Sequence, residues 1–214
     1  MIITCIAVRM KSTRCPGKAM ADLNGKPLIH RLIDRIHGVT DRTVICTSTH
    51  PQDDVLTLMD SRVRVVRGDE LNVAGRFLRA AKDFKAEHIV RVTGDNPLTD
   101  PEHMNQMIAT HLLNDNDYTY CEDMPKGTKS EIIRTEALKL LYETQDPDSS
   151  EYMTYDLYTL ENKQEYQSGL NRPDVRMTVD TPKDLRRMQA LYRYYDNDIP
   201  PLTDIIRWYD REVH

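Results

Sequence analysis

Five short β-branched runs, separated by stretches of helical periodicity, most constrain what this chain can fold into. They are Ile2 to Val8, Thr43 to Thr47, Val63 to Val66, Ile89 to Thr93 and Val175 to Val179. Each is apolar nearly throughout rather than alternating, as expected of a strand buried on both faces. Between them, Leu28, Ile29, Leu32, Ile33 and Ile36 make one apolar helical stripe, opened by Pro27 and closed by Gly38. Val73, Phe77, Ala80, Ala81 and Phe84 make a second, and Met104, Met107, Ile108, His111 and Leu112 a third after Pro101. Such alternation predicts an α/β fold, with a largely parallel sheet covered by helices on both sides. Two further helices, from about Thr181 to Tyr195 and from about Leu202 to Val213, are expected to pack back on the sheet.

At 214 residues the chain is long enough for a single domain spanning 1–214. The stretch 117–171 is less regular, crowded with Tyr118, Tyr120, Tyr152, Tyr155, Tyr158 and Tyr166, with Ser130 to Ile133 as a candidate strand. We read it as an acceptor-side lobe and dimer contact; the plainer alternative is that these tyrosines are half-buried surface residues. With 29 Lys and Arg against 34 Asp and Glu, the net charge is −5. A chain this acidic is a poor general nucleic-acid binder, yet it can hold a local basic pocket for a small anion. Cys5, Cys15, Cys46 and Cys121 are scattered, with no C-x-x-C pair, which suits a reducing cytosol. No apolar run is long enough to cross a membrane, so a cytoplasmic protein is expected.

The chemistry is concentrated where the first strand ends. Arg9, Lys11, Arg14 and Lys18 follow it closely, with Ser12 and Thr13 among them and a Pro16-Gly17 turn before the last lysine. Four cations on one loop repel one another unless a polyanion sits among them, and a phosphate chain is the natural candidate. Asp95 and Asp180 follow two other strand runs, in Thr93-Gly94-Asp95-Asn96-Pro97-Leu98 and Val179-Asp180-Thr181-Pro182. Ligands of open α/β sheets collect at the carboxyl ends of strands, and Mg²⁺ takes one or two carboxylates plus phosphate oxygens and water. If the two strands are neighbours, one ion could bridge both aspartates and a triphosphate. Asp180 also fits an ordinary helix start, with Thr181 as cap, Pro182 at the first helical position and Asp184 three beyond the cap. Arg67, in an Arg-Gly-Asp turn, and Arg76 could reach a ribose or phosphate; Arg76 reads equally as a solvated helix residue. The histidines form no H-x-x-x-H pair, and neither G-x-S-x-G nor G-x-x-x-x-G-K-[ST] occurs, which weakens zinc, hydrolase and ATPase readings.

The run from Arg9 to Lys18, followed by Asn24-Gly25-Lys26-Pro27-Leu28-Ile29, resembles the signature R-x-x-S-x-R-x-P-x-K…G-K-P-[LM]-[IL] of the sugar-acid cytidylyltransferases. The 3-deoxy-manno-octulosonate and acylneuraminate enzymes belong to that family, and the nearest branch in pattern is the spore-coat-polysaccharide (SpsF) type. The segments at Asp95 and Asp180 resemble the family's G-D-x-P-L and V-D-T-P motifs, in family order and spacing. This resemblance implies a three-layer Rossmann-like nucleotidyltransferase fold with a mostly parallel mixed sheet. It implies CTP as donor, transfer of CMP to an anionic acceptor with release of pyrophosphate, Mg²⁺ as cofactor, and a homodimer. By matching positions, Ala7 and Val8 would hold the base through backbone, and Arg9, Ser12, Arg14 and Lys18 the triphosphate. Thr93 would lie near base or ribose; Asp95 and Asp180 would bind metal; Gly127, Glu131 and Glu151 would face the acceptor. Lys18, Arg14 and Asp95 would carry catalysis.

The sequence departs from the branch at Lys11, where Gly is usual, and at Cys15, where Leu is usual. It departs again at Ser149-Ser150-Glu151-Tyr152-Met153-Thr154, where the family has a Ser-x-Glu-His-type segment. A sugar acid is the acceptor most in keeping with the resemblance, and phosphonates or small phosphate esters are alternatives. A glycosyltransferase would need one of the D-x-D strings at Asp115, Asp146 or Asp196, all in turn-like contexts. A non-catalytic nucleotide sensor would have no use for the paired aspartates.

Overall fold

The computed structural model describes residues 1–57, 60–144 and 156–213. Its seven-stranded sheet is ordered β3-β2-β1-β4-β6-β5-β7. In chain order the strands are β1 (Ile2–Ala7), β2 (Arg42–Ser48), β3 (Arg64–Gly68), β4 (His88–Thr93), β5 (Tyr118–Tyr120), β6 (Glu131–Arg134) and β7 (Lys163–Glu165). β3, β2, β1 and β4 run parallel, and β6 then pairs antiparallel with both β4 and β5. The helices are α1 (Leu28–Ile36), α2 (Val73–Phe84), α3 (Pro101–Leu113), α4 (Thr135–Thr144), α5 (Pro182–Tyr194) and α6 (Leu202–Val213).

Two apolar cores lie on opposite faces of the sheet, so the architecture is three-layered. One packs α1, α3, α5 and α6 against Ile6, Ile45, Val90 and Val92; the other packs α2 and α4 against Ile3, Cys5, Val44, Cys46 and Ile89. Alternate residues of each central strand therefore serve opposite cores, which is why these runs are apolar without interruption. No helix among the described residues is long and apolar enough to cross a membrane. All four cysteines are buried free thiols, and burial raises the Cys121 pKa to about 12.

One expected strand does not join the sheet. Val175 to Val179 is extended and buried, but its only pairing is an isolated bridge between Arg176 and Lys126. Lys126 N donates to Val175 O at 2.8 Å and Met177 N to Lys126 O at 2.7 Å. The ladder stops there because Pro125 has no N–H on one side, while Gly127 turns away at φ +95° on the other. The 117–171 stretch supplies β5, β6 and β7 to the same sheet. β7 (Lys-Gln-Glu) carries no apolar signal because it lies at the edge, its ends exposed.

Candidate active site

The carboxyl ends of β1 and β4 lie side by side, with Ala7 opposite Thr93. Both open into a cleft of about 550 Å³. Gly94 permits this approach: its N donates to Ala7 O at 2.8 Å, and a Cβ there would meet Val8 Cβ at 2.5 Å. Beyond Val8 the loop is tied down by a buried carboxylate, since Met10 N donates to Asp53 Oδ1 at 2.7 Å. Thr47 and Ser48 donate to the other oxygen of Asp53. Burial opposes that charge, but the donors outweigh it and hold the Asp53 carboxyl below the usual range.

Of the residues picked out in the sequence, Ala7, Val8, Arg9, Ser12, Arg14, Lys18, Arg76, Thr93, Asp95 and Asp180 all line this cleft. Lys18 is its hub. The ammonium donates to Asp95 Oδ2 at 2.8 Å, to Val179 O at 2.8 Å and to Asp180 Oδ1 at 3.4 Å. Arg14 Nη2 reaches Asp180 Oδ1 at 3.1 Å, and Arg176 grips the other oxygen. Val179 N donates to Asp95 O at 3.0 Å, so the two aspartate segments run against each other although the second is no strand. Arg76 is buried rather than solvated; it holds the turn at Asp69 and Glu70, donating to their carbonyls at 2.7 and 3.1 Å. Six cations (Arg9, Lys11, Arg14, Lys18, Arg76, Arg91) face three carboxylates (Glu70, Asp95, Asp180) around the cleft. That excess of positive charge suits a polyanion.

A smaller hollow of about 260 Å³ adjoins it, lined by Lys126, Gly127, Lys129, Ser130, Glu131, Asn96 and Thr178. Arg91, Thr93, Asp95 and Asp180 line both spaces. Gly127 is required here, because a Cβ would fall 2.3 Å from Thr178 N.

Two of the sequence-derived residues are not brought in. Arg67 is spent on the loop after β2, bonded to Ser48 O, His50 O and Asp54 Oδ1 at 2.8, 3.0 and 2.7 Å, and lines neither space. Glu151 lies outside the described residues. Conversely, sequence reading passed over Glu70, which pairs with Arg9 at 3.3 Å and Lys11 at 3.2 Å. It also passed over Arg91, which pairs with Glu131 at 2.9 Å. A charge inside the apolar run Ile89 to Thr93 was the available signal for Arg91; nothing local marks Glu70. The D-x-D string at Asp115 is neutralised by Arg134, which binds Asp115 at 2.5 Å and Asp117 at 2.8 Å.

Asp95 and Asp180 converge on one cationic point, the Lys18 ammonium, and among the described residues no group of three or more His, Cys, Asp or Glu assembles. A structural zinc-type centre is therefore not built there. Two carboxylates beside a phosphate-binding loop do fit a hard divalent ion that completes its shell with phosphate and water.

Comparison with known proteins adds to this geometry. A family model described as cytidylyltransferase matches residues 3–206. The spore coat polysaccharide biosynthesis protein SpsF of Bacillus subtilis is 32% identical over 211 residues, covering 90% of this chain and 86% of that protein. A cytidylyltransferase structure from Leptospira borgpetersenii superposes with a TM-score of 0.88 at 24% identity, covering 98% of this chain and 93% of that one. CMP:2-keto-3-deoxy-manno-octonic acid synthetase complexed with CTP superposes at 0.70 and 15% identity, covering 90% and 98%. At those identities the two structures speak for the fold: a Rossmann-like nucleotidyltransferase. The match of the family model along nearly the whole chain carries the rest: this protein belongs to the cytidylyltransferase family and is a nucleotidyltransferase.

Proposed function

We propose that this protein transfers CMP from CTP to an anionic small-molecule acceptor, a sugar acid, with release of pyrophosphate. The shared wall carries the reading: Arg91, Thr93, Asp95 and Asp180 border both the large cleft and the small hollow. A nucleotide in the first and an acceptor in the second meet across the two carboxylates. An acceptor oxygen then attacks the α-phosphorus in line as its bond to the pyrophosphate oxygen breaks. Positioning and charge stabilisation supply the rate.

In this scheme the backbone at Ala7 and Val8 holds the cytosine, with Thr93 beside base or ribose. Arg9, Ser12, Arg14 and Lys18 grip the triphosphate, and Lys18 and Arg14 take up charge on the departing pyrophosphate. Asp95 and Asp180 would hold Mg²⁺, which when bound neutralises phosphate charge. Gly127 and Glu131 face the acceptor, whose acid group has Lys126 and Lys129 at hand. The name of the Bacillus relative suggests that the product feeds polysaccharide synthesis. CTP as donor implies a cytoplasmic reaction, and we extend the proposal to a homodimer formed through the 117–171 stretch.

The test is a pyrophosphate-release screen with Mg²⁺ and CTP, ATP, UTP or GTP against sugar acids, phosphonates and small phosphates. Release that depends on both CTP and a sugar acid is expected. Release with another nucleotide alone, or none with any acceptor, overturns the proposal.

A further inference from the structure

We infer that Ser130 and Glu131 read hydroxyl groups of the acceptor, so that the small hollow selects polyhydroxylated acids over acids, phosphates or phosphonates lacking hydroxyls. This rests on the reading above that the hollow takes the acceptor. Eight buried side-chain nitrogens and oxygens among the described residues have no hydrogen-bond partner, and four belong to residues lining this one hollow. They are Arg91 Nε, Asn96 Oδ1, Ser130 Oγ and Glu131 Oε2. Buried polar atoms are rarely left unpaired in a folded protein, and a cluster of them marks where something else completes the bonding.

The chemistry of the four narrows what that is. Arg91 Nε only donates; Asn96 Oδ1 and the Glu131 carboxylate only accept; the Ser130 hydroxyl does either. Arg91 and Glu131 face each other in the β4–β6 register, and their bond at 2.9 Å uses one atom of each. Asn96 commits its amide nitrogen to Thr93 at 2.7 Å. An ionised carboxylate, phosphate or phosphonate brings acceptors alone: it could satisfy Arg91 and Ser130 but would set oxygen lone pairs against Glu131 and Asn96. A hydroxyl both donates and accepts, and neighbouring hydroxyls on a sugar can serve the whole set. Serine and carboxylate oxygens turn readily about their terminal torsions, so a ligand can recruit them. The anionic end of such an acceptor belongs toward Lys126 and Lys129, on the same hollow. Tyr118 is the rival partner for Glu131: its buried hydroxyl, which burial and then the Glu131 charge keep protonated, lies nearby without a well-formed bond.

The experiment compares acids matched in charge and frame by NMR titration of the full chain. Glucuronate is set against cyclohexanecarboxylate, and gluconate against hexanoate. The wild-type protein is expected to bind the hydroxylated member at least about tenfold more tightly. In Ser130→Ala and Glu131→Gln that ratio should fall toward one. Equal binding of both members, no binding of either, or an unchanged ratio in both variants overturns the inference; the last result would make Glu131 a prop for Tyr118 and Arg91. A parallel CTP titration separates the two proposals. If CTP fails to bind, the transferase reading falls, while the acid ratios still decide this one.

Discussion

Lys18 concentrates the chemistry at the residue scale. Its ammonium ties together the first strand's loop, the Gly94–Asp95 turn and the chain entering α5, through contacts with residues 77 and 162 positions away. Replacing it with alanine removes a charge aimed at the pyrophosphate and leaves two carboxylates facing each other. Lys18→Ala should lower kcat about a hundredfold, near 3 kcal/mol of barrier, with the circular dichroism spectrum unchanged; Asp95→Asn should do the same. Full activity in either would remove that residue from the site. Asp53 acts at one remove. Its buried carboxylate anchors the loop at Met10, so Asp53→Asn should raise the KM for CTP while costing about 2 kcal/mol of stability. The measurements are steady-state kinetics and urea unfolding, and an unchanged KM would leave Asp53 a purely structural group.

Elements carry their own tests. α5 begins with a capping box: Thr181 Oγ1 accepts from Asp184 N at 3.3 Å, and Asp184 Oδ2 accepts from Thr181 N at 2.9 Å. The same Asp184 oxygen accepts from Asp180 N at 3.2 Å, so the cap also orients the site aspartate. The ordinary helix-start reading and the site reading of Asp180 are thus both met by one structure. Thr181→Ala should cost about 1 kcal/mol in urea unfolding and lower turnover besides. Between α3 and the sheet, His111 Nε2 lies 3.1 Å from His88 Nδ1, and its own Nδ1 lies 2.9 Å from Thr119 Oγ1. Burial, then the neighbouring His88 and Arg134, lower the His111 pKa from 6.5 to about 4. The folded state therefore resists a proton that the unfolded chain accepts. Stability is full above pH 6.5 and is lost as pH falls toward 4, by about 3 kcal/mol from this group. Unfolding free energies across that range should show the slope, and His111→Gln should flatten it. The Asp100–His103 pair raises the His103 pKa and so tilts stability the other way, which the comparison with the variant removes.

For the whole molecule, the decisive feature is the change from parallel to antiparallel pairing at β4. On one side of β4 the parallel strands deliver the donor cleft; on the other, β6 runs back and brings Ser130 and Glu131 to a second space beside the same Asp95. Much of this was legible beforehand. The β1, β2 and β4 runs, the stripes of α1, α2 and α3, and the cation cluster after Ala7 follow from patterns a few residues long, where burial and periodicity act locally. Val175 to Val179 misled because apolar β-branched residues report burial, not pairing, and Pro125 and Gly127 prevent the ladder. β7 was invisible because an edge strand needs no apolar face. The sequence alone determined the alternation of strands and helices and the residue types at strand ends. Only the tertiary structure decided that Lys18 sits between Asp95 and Asp180, that Glu70 meets Arg9, that Arg67 turns away and that Arg91 faces Glu131. Those contacts depend on strand order and register, which place groups tens of residues apart within a few ångströms and leave no local mark in the chain.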